Sequence, residues 1–443
     1  MTTNYKSSVL AELAWRDRID TTTHDELDAL LATQSVVLYC GFDPTAVSLH
    51  IGNLIPLMGL LFFRRHGHRP LLLAGGATGR IGDPSGKDSE RDFLDIAQLE
   101  ANIAGNSAQL RTIFDRAMHM HPETMGEHAS RADGWQAPIV NNYDWMKQWG
   151  FLDFLRDVGK HFRVNTMIAK DSVKNRLENR DQGLSFTEFS YMLIQGYDFF
   201  HLFDHHACRL QIGGSDQWGN ITAGTELIRR KRGTAAYGLT MPLLLDSTGK
   251  KFGKSVAGAI FLDPEITSPY AFYQYWLNRD DADMERLFKS FTFLHRDEIE
   301  GLVGEVATGQ NRGQVQKRLA HEITWLAHGR DEADAAVRAS RMLFGERIEG
   351  LDDKALSTIF ADVPTAEISR DALAAGISII DLLVSTGLQP SKGAARRLVQ
   401  QGGGYVNNTR MAADAVVDTS CLASESMLVL RAGKKKYLVV KVD

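Results

Sequence analysis

The stretch LYCGFDPTAVSLHIGNL, Leu38 to Leu54, starts as a buried strand, turns through Gly41 and Pro44, and resumes as an apolar helix with a histidine in its first turn. A helix beginning near Ser48 points its unpaired N–H groups, and the positive end of its dipole, back at the strand end. That is an anion site. His50 placed there can donate to phosphate oxygens, Gly52 lets a flat ring approach the backbone, and Asn53 adds a neutral amide. A lone His-x-Gly-x pattern also fits a histidine that only caps the helix.

Working outward, SVVLYCGF (35–42), RPLLLAGG (69–76), APIVNN (137–142) and RLQIGG (209–214) read as further buried strands ending in turn residues, with helical patterns between them. This alternation predicts an α/β fold with a parallel sheet covered on both faces, whose ligands sit at the carboxyl ends of the strands. After about Pro269 the pattern turns helical. In QVQKRLAHEITWLAHG, Val315, Leu319, Ile323 and Leu326 make one apolar stripe and Gly329 a stop. The stretch 346–371 is mildly acidic, holds Pro364 and has one weak helical segment, DKALSTIFADV; it reads as a linker. A last compact unit begins at about Ala372.

The 443 residues, 44% hydrophobic, suit two or three domains. No apolar run approaches the ~18 residues of a membrane span, and the first residues lack the layout of a signal peptide. A cytoplasmic chain without a membrane partner is expected. Cys40, Cys208 and Cys421 are too few and too scattered for a disulfide framework or zinc cluster. Net charge is -5, yet Ser391–Asp443 holds nine Lys/Arg against four Asp/Glu, so this end carries +5 and the remainder -10. A basic end on an acidic body suits RNA contact or a solvated face.

A second phosphate element is LLLDSTGKKFGKSVAG, 243–258: an apolar strand, then a loop with Lys250, Lys251, Lys254, Ser255 and three glycines. Glycines let such a loop move, and its lysines bring compact charge to a triphosphate on closure. A solvated basic hairpin is the alternative. The P-loop spacing fails, because Thr248 stands five residues before Gly253. GDPSGKDS also fails in spacing, HEITW has Trp325 in place of a second zinc histidine, and His205, His206 and Cys208 lack a fourth local ligand. No protein-only metal site is expected.

His50-Ile51-Gly52-Asn53 resembles the His-Ile-Gly-His signature, and Lys251-Phe252-Gly253-Lys254-Ser255 the Lys-Met-Ser-Lys-Ser signature, of class I aminoacyl-tRNA synthetases. YCGFDPTA, GGATGRIGDPSG, NNYDW, FSYMLIQGYDF and QIGGSDQWGNI are similar to strings of the bacterial tyrosyl-tRNA synthetases, over essentially the whole chain. The resemblance implies a Rossmann-like doubly wound catalytic domain (1–264), an α-helical anticodon-binding domain (265–345), the linker (346–371) and a small α+β S4-like RNA-binding domain (372–443). It implies tyrosine activation by ATP, with Mg²⁺ accompanying the ATP, followed by transfer to tRNA(Tyr). A homodimer is implied, and no DNA partner.

By resemblance, Thr45 and His50 hold the triphosphate, with Asn53 beside them, while Lys251, Lys254 and Ser255 close over it. Cys40, Gly41, Asp43, Gly52, Gly214 and Asp216 take the rest of the nucleotide; taken alone, Asp216 reads as a helix cap. Tyr39 and Asp198 meet the phenol hydroxyl of tyrosine, Asp83, Tyr191 and Gln195 its ammonium, and Gln217 its carboxylate. Tyr191, Gln195 and Asp198 fall at i, i+4 and i+7, so one helix face can present all three. Lys87, Arg91, Lys392, Arg396 and Arg397 resemble RNA-contact positions. The sequence departs from the family at Asn53, which never carries charge, and at Gly402-Gly403-Gly404, which reads as looser than the S4 pattern. A shorter nucleotidylyltransferase and a non-catalytic RNA-binding relative are the rival readings; the loop lysines and the ammonium trio argue against the latter.

Overall fold

The computed structural model describes residues 4–85, 94–170, 173–174, 177, 183–245, 247, 249, 252, 254–255, 258–360, 363–433 and 436–443, with backbone only for 254, 255, 312 and 358. Lys87, Arg91 and Lys251 lie outside the described residues. The chain divides into two compact units, 1–268 with 275–329, and 269–274 with 330–443. This division does not follow the expected boundaries at 264/265 and 345/346.

The first unit is built on a six-stranded sheet: β1 (Thr21–Thr22), β2 (Val37–Phe42), β3 (Arg69–Ala74), β4 (Ile139–Asn141), β5 (Cys208–Gly214) and β6 (Tyr237–Met241), in the order β1-β6-β5-β2-β3-β4. All pairs are parallel except the short edge pair β1–β6. β3 is buried from Pro70 to Ala74, as a strand covered on both faces must be. The four strands expected from periodicity all form. The apolar strand expected at 243–245 does not: β6 lies just before it and stops at Met241, because Pro242 has no N–H for the ladder. Leu243 and Leu245 are left 37% and 39% exposed.

Chain order leaves β2 with β3 and β4 on one side and β5 and β6 on the other. The crevice outside the carboxyl ends of β2 and β5 is therefore the switch point of the sheet. The helix Ile51–Arg65 follows β2 and buries Leu54, Leu57, Met58 and Leu61. Gly59 lets it lie close to the sheet, since a Cβ there would sit 2.8 Å from the Met241 sulfur. Its far end is pinned by the buried Arg65, which donates to the carbonyls of Ala117, Met120 and His121 and to Thr124 Oγ1 at 2.7–3.0 Å. The helix Arg312–His328 buries Val315, Leu319, Ile323 and Leu326 completely and ends at Gly329 (φ 105°), as its pattern predicts.

In the second unit a five-stranded sheet runs Thr409–Arg410, Gly404–Val406, Met427–Ala432, Lys436–Val442, Thr365–Ile368. Helices Ile379–Ser385 and Lys392–Gln400 pack Leu382, Leu383, Ala395 and Val399 against Leu428, Leu430 and Val440 on one face. On the other face Val429 and Val439 meet Ile348, Leu356, Ile359 and Phe360. The stretch 346–371 is thus not a linker. It supplies a helix, Asp353–Ile359, and a strand, Thr365–Ile368, that pairs in parallel with Lys436–Val442. Its acidic, proline-containing surface hid the four apolar side chains that fix it.

The glycine run is tight rather than loose. Gly402 adopts φ 77°, its N–H bonds to the Val399 carbonyl (2.9 Å) and the Gly403 N–H to that of Leu398 (2.8 Å), which is a Schellman cap on helix Lys392–Gln400. Among the described residues no helix is long and apolar enough to cross a membrane.

Replacing Arg65 by Met leaves buried carbonyls without donors, so urea unfolding should show a loss of about 3 kcal/mol; a loss below about 1 kcal/mol would mean that water replaces the guanidinium.

Candidate active site

The helix begins at Ile51 rather than near Ser48, and His50 is its N-cap. His50 Nδ1 accepts from the Gly52 N–H (3.0 Å), and Asn53 Oδ1 accepts from the His50 N–H (2.9 Å). The capping role is therefore realised, and it sets the chemistry of the ring. With Nδ1 held as an acceptor, the neutral imidazole carries its proton on Nε2 and can donate there. The flat ring that Gly52 admits is that of His50, since a Cβ at Gly52 would sit 2.7 Å from Cε1.

The lysine-bearing loop returns to this helix start. Ile51 N–H donates to the Ile260 carbonyl (3.0 Å), Leu262 N–H to that of Leu49 (2.8 Å), and Asp263 N–H to Ser48 Oγ (3.1 Å). On the entry side Phe252 N–H donates to the Leu244 carbonyl (2.9 Å), and its buried ring packs against Trp276 and Phe291. Between these anchors Lys254–Ser255 pairs with Gly258–Ala259 as a short hairpin. The loop is fixed at both ends, and Lys254 and Ser255 form one strand of its hairpin.

A cavity of about 320 Å³ opens beside His50. It brings together Tyr39, Cys40, Gly41, Asp43, Thr45, His50, Gly52, Asn53, Asp83, Tyr191, Gln195, Asp198, Gly214, Asp216 and Gln217. The helix Phe186–His206, capped by Ser185 and Glu188, presents Tyr191, Gln195 and Asp198 into it as their spacing predicts.

Asp198 is 1% exposed; its Oδ2 accepts from Asn142 Nδ2 (2.9 Å) and its Oδ1 from Trp145 Nε1 (2.8 Å). Burial pushes the carboxyl up to about 7 against the pull of both donors. Burial, reinforced by Asp198, also holds the Tyr39 phenol well above its usual range. Tyr191 donates to Asp43 Oδ2 (2.9 Å), and Thr78 donates to Asp43 Oδ1 (2.7 Å) while accepting from Asn142. Gln217 donates to Asp83 (2.7 Å) and accepts from Gln195 (3.3 Å). Buried polar groups are normally partnered, yet Tyr39 Oη, Gln195 Oε1 and Gln211 Oε1, all on this cavity, have no partner among the described residues.

Burial pushes the Cys40 thiol up to about 12, so it stays neutral. Asp216 sits in the 3-10 turn Ser215–Gln217, its carboxylate against Gly214, where a Cβ would meet Oδ1 at 2.6 Å. Lys392, Arg396 and Arg397 are exposed on the second unit, Lys392 paired with Asp381 at 2.6 Å. Sequence reasoning missed Thr78, Asn142, Trp145 and Gln211. Their signal was polar or indole side chains at strand ends within GGATG, NNYDW and QIGG.

A family model described as tRNA synthetases class I (W and Y) matches residues 31–345. The chain belongs to this family. A second model, the tyrosine–tRNA ligase SYY-like C-terminal domain, matches residues 355–440 of the synthetase. The tyrosine–tRNA ligase of Bacteroides fragilis is 50% identical over 440 residues, 97% of this chain and 98% of the relative. That of Opitutus terrae is 46% identical, over 98% of this chain and 100% of the relative. A C-terminally truncated mitochondrial tyrosyl-tRNA synthetase from Aspergillus nidulans superposes with a TM-score of 0.67 at 33% identity, covering 76% of this chain and 94% of that one. The synthetase fold, with its doubly wound sheet followed by helices and a C-terminal domain, is thus the expected one.

Because the folded Asp198 carboxyl titrates near 7 instead of its ordinary 3.8, only the folded synthetase holds this proton between those values. Its contribution to stability is full below about pH 4, falls as pH rises, and is lost above about pH 7. Urea midpoints of the wild type should therefore decline across that window relative to Asp198→Asn; parallel curves for the two would refute the raised value.

Proposed function

We propose that this synthetase is a tyrosine–tRNA ligase. The tyrosine carboxylate attacks the α-phosphorus of ATP in line; the new P–O bond forms as the α–β bridging bond breaks, and pyrophosphate leaves. The terminal ribose hydroxyl of tRNA(Tyr) then attacks the carbonyl carbon of the adenylate, and AMP leaves. Neither step needs a covalent enzyme intermediate, so the protein contributes positioning and charge placement.

The observation that carries the reading is the unpartnered Tyr39 hydroxyl in the cavity lining shared with the Asp198 carboxylate. Asp198 accepts the substrate's phenol proton while Tyr39 donates to the phenol oxygen. Phenylalanine leaves the buried Tyr39 hydroxyl unpaired, at a cost of roughly 1–3 kcal/mol, and gives Asp198 no donor beyond Asn142 and Trp145. Gln195 Oε1, Tyr191 and Asp83 hold the ammonium. Asp43, bonded to Tyr191 and Thr78, supports that subsite. Gln217, with one amide N–H given to Asp83 and its oxygen accepting from Gln195, turns its second N–H to the carboxylate.

Thr45 and the His50 Nε2–H hold the triphosphate, which Lys251, Lys254 and Ser255 close over. Asn53 serves by fixing the cap of His50. Cys40, Gly41, Gly52, Gly214 and Asp216 take the nucleoside, and Mg²⁺ enters with ATP as part of that substrate. Lys392, Arg396 and Arg397, together with Lys87 and Arg91, meet the tRNA backbone. Phe151, Leu152, Val164 and Ile168, 42–77% exposed within eighteen residues, favour a homodimer that covers them. Free thiols at Cys40, Cys208 and Cys421 suit a reducing cytoplasm.

Labelled pyrophosphate should exchange into ATP with tyrosine and not with phenylalanine or tryptophan; equal exchange with all three would reject the assignment. Lys254→Ala should slow adenylate formation roughly 100-fold with tyrosine affinity kept, and a matching loss of tyrosine affinity would contradict the clamp.

A further inference from the structure

On the sheet face opposite helix Lys392–Gln400, four side chains stand in register across four strands: Arg410, Tyr405, Arg431 and Tyr437. Directly opposed residues of antiparallel strands share a face, so cation and aromatic ring alternate along one row. The Arg431 guanidinium lies 3.8 Å from the centre of the Tyr405 ring and donates to Tyr437 Oη at 3.3 Å. Among the described residues neither Arg410 nor Arg431 has a carboxylate partner.

Beside this row stands Phe344, 79% exposed and the most exposed large apolar side chain among the described residues. Its two chain neighbours both touch the row. The Leu343 carbonyl accepts from Tyr437 Oη (2.9 Å), and a Cβ on Gly345 would sit 3.1 Å from Arg431 Nη1. Around Phe344 the exposed residues are Arg341, Glu346, Arg347 and Glu349, the last two paired at 3.0 Å, rather than further apolar ones. A lone ring set among charged residues of both signs makes a poor core for a protein interface. It makes a good platform for an unpaired base, whose flat face stacks on an aromatic ring while guanidinium groups meet its phosphates.

We propose that Phe344 and the row Arg410–Tyr405–Arg431–Tyr437 form a second RNA-contact surface, which takes an unpaired nucleotide of the tRNA substrate. The base stacks on Phe344, and Arg431 and Arg410 meet the adjoining phosphates. This rests on the ligase reading and adds to it a surface on the sheet face away from helix Lys392–Gln400. The excess of nine basic over four acidic residues in Ser391–Asp443 supplies the matching charge.

The test uses the full chain and a transcript of tRNA(Tyr), with affinity measured at two salt concentrations and tRNA-independent pyrophosphate exchange measured in parallel. Phe344→Ala should weaken tRNA binding about tenfold, Phe344→Trp should restore it, and exchange should stay at the wild-type rate. Arg431→Gln should reduce the salt slope by about one. Wild-type tRNA affinity in Phe344→Ala overturns the proposal, as does a changed sedimentation state with affinity intact, which would mark a protein contact. Absence of exchange in the wild type would instead sink the ligase reading.

Discussion

Two backbone hydrogen bonds, from Ile51 N–H to the Ile260 carbonyl and from Leu262 N–H to the Leu49 carbonyl, tie the start of the His50 helix to the strand leaving the lysine loop. In net stability they are worth about 2 kcal/mol together. Their larger effect is geometric. Segments more than 200 residues apart become neighbours at the switch point of the sheet. Phe252, buried against Trp276 and Phe291, holds the other end. Positioning is most of what a reaction without a covalent enzyme intermediate asks of its protein.

The cavity continues from this junction as a chain of polar contacts rather than as isolated residues. Trp145 and Asn142 hold Asp198; Asn142 reaches Thr78; Thr78 and Tyr191 hold Asp43. A carboxyl as deeply buried as Asp198 is costly when ionised, and its raised titration records that cost. So does the hydroxyl of Tyr39, which is buried without a partner. Such departures from polar satisfaction concentrate where a protein recognises something outside itself. A phenol hydroxyl, with one donor and one acceptor function, satisfies both groups.

The strands legible in the sequence were those with continuous apolar runs, because a parallel sheet buried on both faces writes its pattern directly into composition. β6 was misplaced by a few residues: Leu243 to Leu245 are as apolar as a strand, and only the missing N–H of Pro242 shows that the ladder has ended. The 346–371 segment was misread for the opposite reason. Leu356, Ile359 and Phe360 are too few to reveal a core position until the sheet they cover is known. At the site, Tyr191, Gln195 and Asp198 were legible through helical spacing and resemblance. Asn142 and Trp145 were not, because their work is on Asp198, a contact across more than fifty residues that no local pattern encodes.

The claim underlying all of this is that the His50 helix start and the lysine loop grip the same nucleotide. Hydrogen–deuterium exchange of the full chain, titrated with a non-hydrolysable ATP analogue, reads both segments at once. Peptides covering 49–54 and 249–262 should gain protection together, with one midpoint. Protection confined to either peptide at saturating analogue would contradict the account.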